Sequence, residues 1–424
     1  MRILFVTPYP PSRIRVRAYG FLSQLRQQHE VTIVAQCASE RDMADVQALR
    51  GQGYEVIEVQ ESRRQAVLRS GLALCSPLPL QVAYARSASF TQTVQRLCLE
   101  RTYDVIHVEH LRGMASMEAL ARTHPLVWDA VDCISLLSKL AMKAGPSFSV
   151  RTVARLEYKR TQRYEARMLD QLPHVVVTSQ NDRDAMIALR RIFLHDIASS
   201  DDELGSGIRV VSNGVDLEYF QPTQQVRRRF NLVFSGKMSY HANVATALYL
   251  HQQVMPLIWQ QRPEATLTIV GSNPPKALQA LTSDPRVEVT GYIDDLRSYV
   301  ERAEIMLSPM VYSVGIQNKV LEAMALGTPV IVAAKAAVAL NALPGQDLLV
   351  AETAQGFAES ALHLMNDAEL RTLLSQHGRN YVERHHNWKV LTDQLVDVYK
   401  GASSAYTKEK EAITAPPAVL GGAF

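Results

Sequence analysis

Residues 313–330 read SVGIQNKVLEAMALGTPV, and the rest of the chain is read outward from them. Residues 303–309 ahead of them form a compact apolar run of strand type. After Gly315, residues 317–326 carry apolar side chains at helical spacing, closed by Gly327 with Pro329 beyond. Strand, glycine turn and helix together are the plan of an anion site. The first N–H groups of a helix lack partners within it, the helix dipole is positive there, and Gly315 lets a phosphate approach the backbone. Asn318 and Glu322 lie four apart and share one helical face beside that position. An ordinary βα unit accounts equally for the glycine and for the apolar Val320, Leu321, Ala323 and Met324, so the local pattern leaves both readings open.

The same strand-like runs recur along the chain. Residues 3–7, 31–35, 55–59, 105–109, 126–129 and 175–179 are short and apolar, separated by segments of helical length, which is the signature of a doubly wound α/β sheet. Residues 151–171 read as one long charged helix, 197–207 (IASSDDELGSG) as an exposed loop, and 210–216 (VVSNGVD) as a strand entering a turn at Asn213-Gly214. After a linker at 217–230 the alternation restarts at 232–235, 266–270, 287–290, 305–307, 330–333 and 348–351, giving a second sheet of the same kind. Ligands of such sheets gather beyond the carboxyl ends of the strands.

The chain has 424 residues, enough for two domains with separate cores, and 47% apolar with 21% charged residues describes an ordinary globular protein. A net charge of +3 is too small to argue for nucleic acid. Arg13, Arg15 and Arg17 crowd the first loop and Arg227, Arg228 and Arg229 form a second cluster. Either reads as a solvated basic surface or as a contact for anionic lipid or a phosphorylated acceptor. Cys37, Cys75, Cys98 and Cys133 lack metal-ligand spacing and read as reduced thiols of a cytoplasmic protein. The sequence opens directly on a strand pattern, and no run approaches the length that spans a bilayer. Any contact with the cytoplasmic membrane is therefore expected to be peripheral.

The letters GIQNKVLEAMALGTPVI resemble the donor-site motif of the family-4 retaining glycosyltransferases of GT-B architecture, and within them the sugar transferases of bacterial exopolysaccharide and exosortase systems. The resemblance covers most of the chain. It implies two Rossmann-like domains facing a central cleft: an acceptor-side domain at 1–216, a nucleotide-sugar donor domain at 217–385, a crossover helix at 386–400 returning to the first domain, and a flexible tail at 401–424. It also implies that Glu322 holds the nucleotide ribose, that backbone amides at Gly315, Ile316, Gln317 and Asn318 hold the diphosphate, and that the backbone of Gly291, Tyr292 and Ile293 reads the base, uridine or guanosine. The family places another glutamate eight residues before Glu322, where this chain has Val314, so Gln317 or Asn318 supplies the polar contacts to the donor sugar.

Lys237 follows a strand as Phe234-Ser235-Gly236-Lys237, where a cation meets a leaving diphosphate. The family it resembles usually has an arginine at this position and a lysine about six positions later, where this chain has Ala242. Lys319 either replaces it or pairs with Glu322 as a structural ion pair. Asp182-Arg183-Asp184 and Asp294-Asp295 read as helix and turn signals rather than metal ligands, so no metal and no cofactor beyond the nucleotide-sugar donor is expected. On the acceptor side, Ser12, Arg13 and Arg15 make the first loop stiff and basic beside Pro10-Pro11, suiting a glycan or a lipid-diphosphate acceptor. His110 and Asp132 follow strands and are the candidates for proton transfer, each with a structural alternative; for Asp132 that alternative is a helix N-cap before Ile134. The expected activity is hexosyl transfer from a UDP- or GDP-sugar in cell-envelope or exopolysaccharide synthesis. Another GT-B enzyme, such as a nucleotide-sugar epimerase or a phosphorylase, and a non-catalytic binding subunit are the alternatives.

Overall fold

The computed structural model describes residues 1–121, 123–144, 148–193, 199–223, 225–310 and 316–414. The apolar runs form two parallel sheets. The first comprises β1 (Arg2–Thr7), β2 (Glu30–Cys37), β3 (Glu55–Gln60), β4 (Val105–Glu109), β5 (Leu126–Val131), β6 (Val175–Val177) and β7 (Ile208–Val210), in the order β3-β2-β1-β4-β5-β6-β7. The second comprises β8 (Arg228–Ser235), β9 (Thr266–Val270), β10 (Val287–Val289), β11 (Ala303–Ser308), β12 (Val330–Val332) and β13 (Leu349–Val350), in the order β10-β9-β8-β11-β12-β13. Strand order reverses between β1 and β4 and again between β8 and β11. Those two gaps are where a doubly wound sheet opens a crevice for a ligand. Leu4, Val6, Ile106 and Trp128 lie in the core cluster on one face of the first sheet, and Ile3, Phe5, Val105 and Val127 in that on the other, because successive residues of a strand point to opposite sides.

The last helix, Trp388–Thr414, returns to the first sheet. Leu391, Leu395, Tyr399 and Ala402 join the core cluster that contains Phe5 and Phe21. Its first residue, Trp388, fixes the crossing. A Cβ on Gly20 would lie 2.1 Å from the Trp388 ring, and one on Gly214 would lie 2.7 Å from it, so the indole fits only because both neighbours are glycines. Val215 N–H donates to the His386 carbonyl at 2.9 Å and His386 Nδ1 meets the Asn213 carbonyl at 2.7 Å, tying the two inter-domain strands of chain together.

Four expectations are corrected. The helix runs fourteen residues past Lys400, to Thr414, where a flexible tail was expected. Its Ala, Lys and Glu content favours helix, Ala402 is buried, and Tyr406 reaches the Thr123 carbonyl. Residues 415–424 lie outside the described residues. Within the expected loop 197–207, Ser200 and Glu203 form a capping box that starts a short helix, Asp201–Leu204. β7 ends at Val210, so most of VVSNGVD is irregular backbone at the crossing. β8 begins at Arg228, inside the expected linker.

Candidate functional site

The helix Asn318–Ala325 begins as its sequence indicates. Gln317 takes extended geometry at its N-cap, Val320, Leu321, Ala323, Met324 and Ala325 are buried, and Gly327 at φ +70° closes it. Thr328 N–H reaches the Ala323 carbonyl at 2.8 Å and Gly327 N–H the Met324 carbonyl at 2.9 Å, the paired bonds of a Schellman end. Among the described residues no side chain makes a cap hydrogen bond at its N-terminus. Gln317 instead receives the Ser308 hydroxyl at 2.8 Å from the end of β11. Gly315, the glycine expected to admit a phosphate, and Val314 lie outside the described residues.

The second switch point supplies the other wall. Asn243, in the helix His241–Tyr249, donates to the Lys237 carbonyl at 3.0 Å and accepts from the Lys319 ammonium at 2.7 Å, so one side chain binds the Gly236-Lys237 turn to the start of the Asn318 helix. Gly236 has φ +151°, and a Cβ there would lie 2.7 Å from Asn243 Nδ2 and 3.0 Å from Lys319 Nζ. Lys319 also lies over the Phe234 ring at 4.2 Å. It makes no contact ion pair with Glu322 among the described residues; its partner is Asn243. Burial pulls the Lys319 ammonium down to about 7 against the charge of Glu322, and burial pushes the Glu322 carboxyl up to about 7 against the charge of Lys319. Both groups therefore lie close to their titration midpoints near neutral pH. Lys237 is exposed at the turn. Ala242, where the resembled family has its lysine, is fully buried and packs with Ala141 and Ala154 of the first domain.

The first domain contributes a buried polar chain that the sequence reading missed. Arg17, only 5% exposed, donates to Asp129 at 2.7 Å, to the Val211 carbonyl at 3.0 Å and to Asn213 Oδ1 at 2.9 Å. Asn213 passes the connection on, its amide donating to Asn318 at 3.1 Å. Behind Asp129, His107 stacks on Phe5 and meets the Tyr399 hydroxyl at 2.8 Å, and burial holds its imidazole down to about 4, hence neutral. Arg17 was grouped with a basic surface because sequence shows three neighbouring arginines and not their directions. Arg15 is likewise engaged, with Asp42 and the Pro10 carbonyl, and Arg13 lies over the Tyr219 ring at 4.6 Å. Ser12 accepts the Arg15 N–H through its carbonyl at 2.8 Å, so the first loop is internally braced. The second arginine cluster is also dispersed: Arg227 binds the Gly327 carbonyl, Arg228 pairs with Glu288, and Arg229 covers the Phe230 ring.

Asp132 does not cap the helix Ile134–Ala144. Glu165 does so, accepting from Ile134 N–H at 2.7 Å and Ser135 N–H at 3.2 Å. Asp132 accepts the Thr178 hydroxyl at 3.1 Å, and burial beside Asp182 raises its pKa. Burial, and after it the charge of Asp132, raises the Tyr240 phenol of the second domain. His110 takes φ +63°, accepts the Arg112 N–H at 3.2 Å and is lowered to about 3 by burial, so it is a neutral base; none of its described contacts reaches the donor domain. Glu109 beside it is 2% exposed with one carboxyl oxygen unpartnered, and burial pushes it up to about 8. Gly291 turns at φ +69°, Tyr292 is largely exposed, and Ile293 packs on the apolar cluster that also contains Val270, Val300 and Val320. Among the described residues no three His, Cys, Asp or Glu side chains gather as a metal site, and no helix is long and apolar enough to cross a membrane.

Two doubly wound sheets, joined by a C-terminal crossover and facing each other across both switch points, match solved structures over nearly the whole chain. HepE of Anabaena, solved with UDP, superposes at a TM-score of 0.63 with 15% identity, covering 95% of this chain and 100% of that one. Sucrose-phosphate synthase of Thermosynechococcus elongatus superposes at 0.67 with 14% identity, covering 95% and 99%. The fold is GT-B. In this GT-B chain, residues 229–367 match the family model described as Glycosyl transferases group 1. The capsular polysaccharide biosynthesis glycosyltransferase CapM of Staphylococcus aureus is 22% identical over 243 residues, covering 53% of this chain. The match spans 63% of CapM's own length. HepE has also been solved with UDP-glucose.

Proposed function

We infer that this chain is a glycosyltransferase of cell-envelope polysaccharide synthesis, moving a sugar from a nucleotide diphosphate to a glycan or lipid-linked acceptor. The observation that carries this is the start of the Asn318–Ala325 helix, without a side-chain cap among the described residues, held by Asn243 against the Gly236-Lys237 turn and by Asn213 against the first domain. That niche joins helix N–H groups, two lysines and a carboxylate at the switch point of the second sheet, the chemistry a diphosphate and a ribose require. HepE binding UDP and UDP-glucose, and the capsular role of CapM, support uridine and envelope polysaccharide.

In this reading the amides ahead of Asn318 hold the diphosphate, Glu322 accepts the ribose hydroxyls, and the backbone of Gly291 to Ile293 reads the base. Lys237 and Lys319 stabilise the charge that grows on the diphosphate as the glycosidic bond breaks, an interaction stronger in the transition state than in the ground state. Among the described residues the one carboxylate of the niche, Glu322, is taken up by the ribose in this scheme, which favours a retaining front-face transfer in which the leaving phosphate oxygen takes the acceptor's proton. Asp132, opposite Tyr240, orients the acceptor hydroxyl, and no metal is required by this scheme.

Calorimetry of the full chain with UDP and GDP, together with transfer from a labelled UDP-sugar, tests the reading. Glu322→Gln is expected to weaken UDP binding by about 1–3 kcal/mol while leaving the melting temperature nearly unchanged. UDP affinity equal to the parent's removes the ribose role of Glu322, and absence of binding to either nucleotide removes the donor site.

A further inference from the structure

The described apolar surface is concentrated outside the cleft. On the helix Arg63–Leu72 and the turn after it, Val67, Leu68, Leu72 and Leu74 are each more than half exposed, while Ala66 and Ala73 are buried. A second stripe stands beside them at the start of the helix Phe148–Gln171. Phe148 is 79% exposed, Val153 53% and Leu156 43%. The two stripes are adjacent because Arg160 Nη2 donates to the Leu74 carbonyl at 2.6 Å and Glu157 accepts the Leu80 N–H at 2.7 Å. On the long helix Val153, Leu156 and Arg160 fall on one side, at i, i+3 and i+7, so the arginine that grips Leu74 brings the leucines together.

The charge around this patch has one sign. From Ser62 to Leu99 the sequence contains no Asp or Glu. Arg64, Arg155, Lys159 and Arg163 are exposed around the leucines, and the acids of the neighbouring helical turns, Glu157 and Glu165, are buried. Apolar side chains ringed by exposed cations, with the carboxylates turned inward, are the composition of a surface that lies on an anionic bilayer. A second copy of the chain fits poorly, since a self-complementary pairing would set arginine against arginine. The patch is also well placed. On the flank of the same helix facing away from it, Ala154 packs with Ala242 of the second domain, so docking through the patch leaves that domain contact uncovered.

We propose that the face formed by the Arg63–Leu72 helix and the first turns of the Phe148–Gln171 helix docks the protein on anionic phospholipid. The leucines enter the acyl boundary, and the arginines and lysine meet the headgroups. The inference is independent of the donor-site reading, because docking needs no nucleotide.

The experiment is co-sedimentation of the full chain, without nucleotide, with vesicles of phosphatidylcholine with or without phosphatidylglycerol. Binding is expected only with phosphatidylglycerol, and it should fall as salt rises. Leu68→Asp combined with Leu72→Asp, both exposed and therefore compatible with folding, is expected to reduce the bound fraction at least tenfold. Leu343→Asp, exposed on the second domain, is expected to leave it unchanged. A circular-dichroism melt of each variant verifies the fold. Equal binding to neutral vesicles, full retention by the double variant, or loss of a dimer in sedimentation velocity without any lipid binding would each overturn the proposal. UDP affinity measured on the same double variant should equal the parent's, which keeps this test separate from that of the donor site.

Discussion

Asn213, at the crossing from the first domain, donates its side-chain amide to Asn318 in the first turn of the donor helix, 3.1 Å away, while its oxygen accepts from buried Arg17 at 2.9 Å. One short side chain thus joins the interior of the first domain to the start of the helix that defines the site. The two bonds use opposite ends of the amide, so substitutions separate them.

Asn213→Ala removes both bonds and leaves Arg17 short of an acceptor, which should cost about 1–3 kcal/mol of stability. Asn213→Asp keeps an acceptor for Arg17 and removes the donor to Asn318. The expected outcome is near-parental stability with weakened UDP binding, read by thermal melts and calorimetry. If both variants lose stability equally, the Arg17 bond is not the stabilising half.

Arg17→Met leaves Asp129, which has no solvent exposure, without its strong partner. Removing one member of a buried pair typically costs about 3–5 kcal/mol, far more than the pair itself contributes. Urea denaturation should show that loss as a lower midpoint at unchanged slope. Arg17→Lys recovers only part of it, because an ammonium cannot reach Asp129, the Val211 carbonyl and Asn213 in one planar fork.

Glu109 is raised by burial, and secondarily by Asp129, from an ordinary 4.5 to about 8. A group with a raised folded pKa contributes stability that is complete below its unfolded value and is lost as pH rises through the folded one. The parent should therefore lose stability between about pH 5 and 9 relative to Glu109→Gln, by a few kcal/mol at the alkaline end. Parallel melting curves for the two proteins across that range would falsify the buried, protonated state.

Gly236→Ala places a methyl 2.7 Å from Asn243 Nδ2 in a backbone conformation that favours glycine. The side chain that holds Lys319 must move, so UDP affinity should fall at least tenfold, about 1.4 kcal/mol. Calorimetry reads the affinity, and a melt distinguishes a displaced Asn243 from a general loss of fold.

The sequence by itself determined the alternation of strand and helix, the restart after Asn213-Gly214, and the bounds of the Asn318–Ala325 helix, because each rests on short-range features. Apolar runs fill buried parallel strands, and a glycine ends a helix wherever a left-handed residue is required. It also marked Gly236 and Lys237 directly after a strand, and β8 does end at Ser235, and it put Lys319 and Glu322 on one helix, where the structure has them. Tertiary structure alone decided the directions of charged side chains. Three arginines in five residues look like a basic surface, yet Arg17 turns inward because Asp129 and two carbonyls, more than 110 residues away, offer buried acceptors. Likewise the cap that sequence offered as the structural alternative for Asp132 is supplied by Glu165, 33 positions later, which accepts the Ile134 N–H. Helix and strand are written in neighbours along the chain, whereas the partner of a buried charge is set by which distant segments the folded core brings into contact.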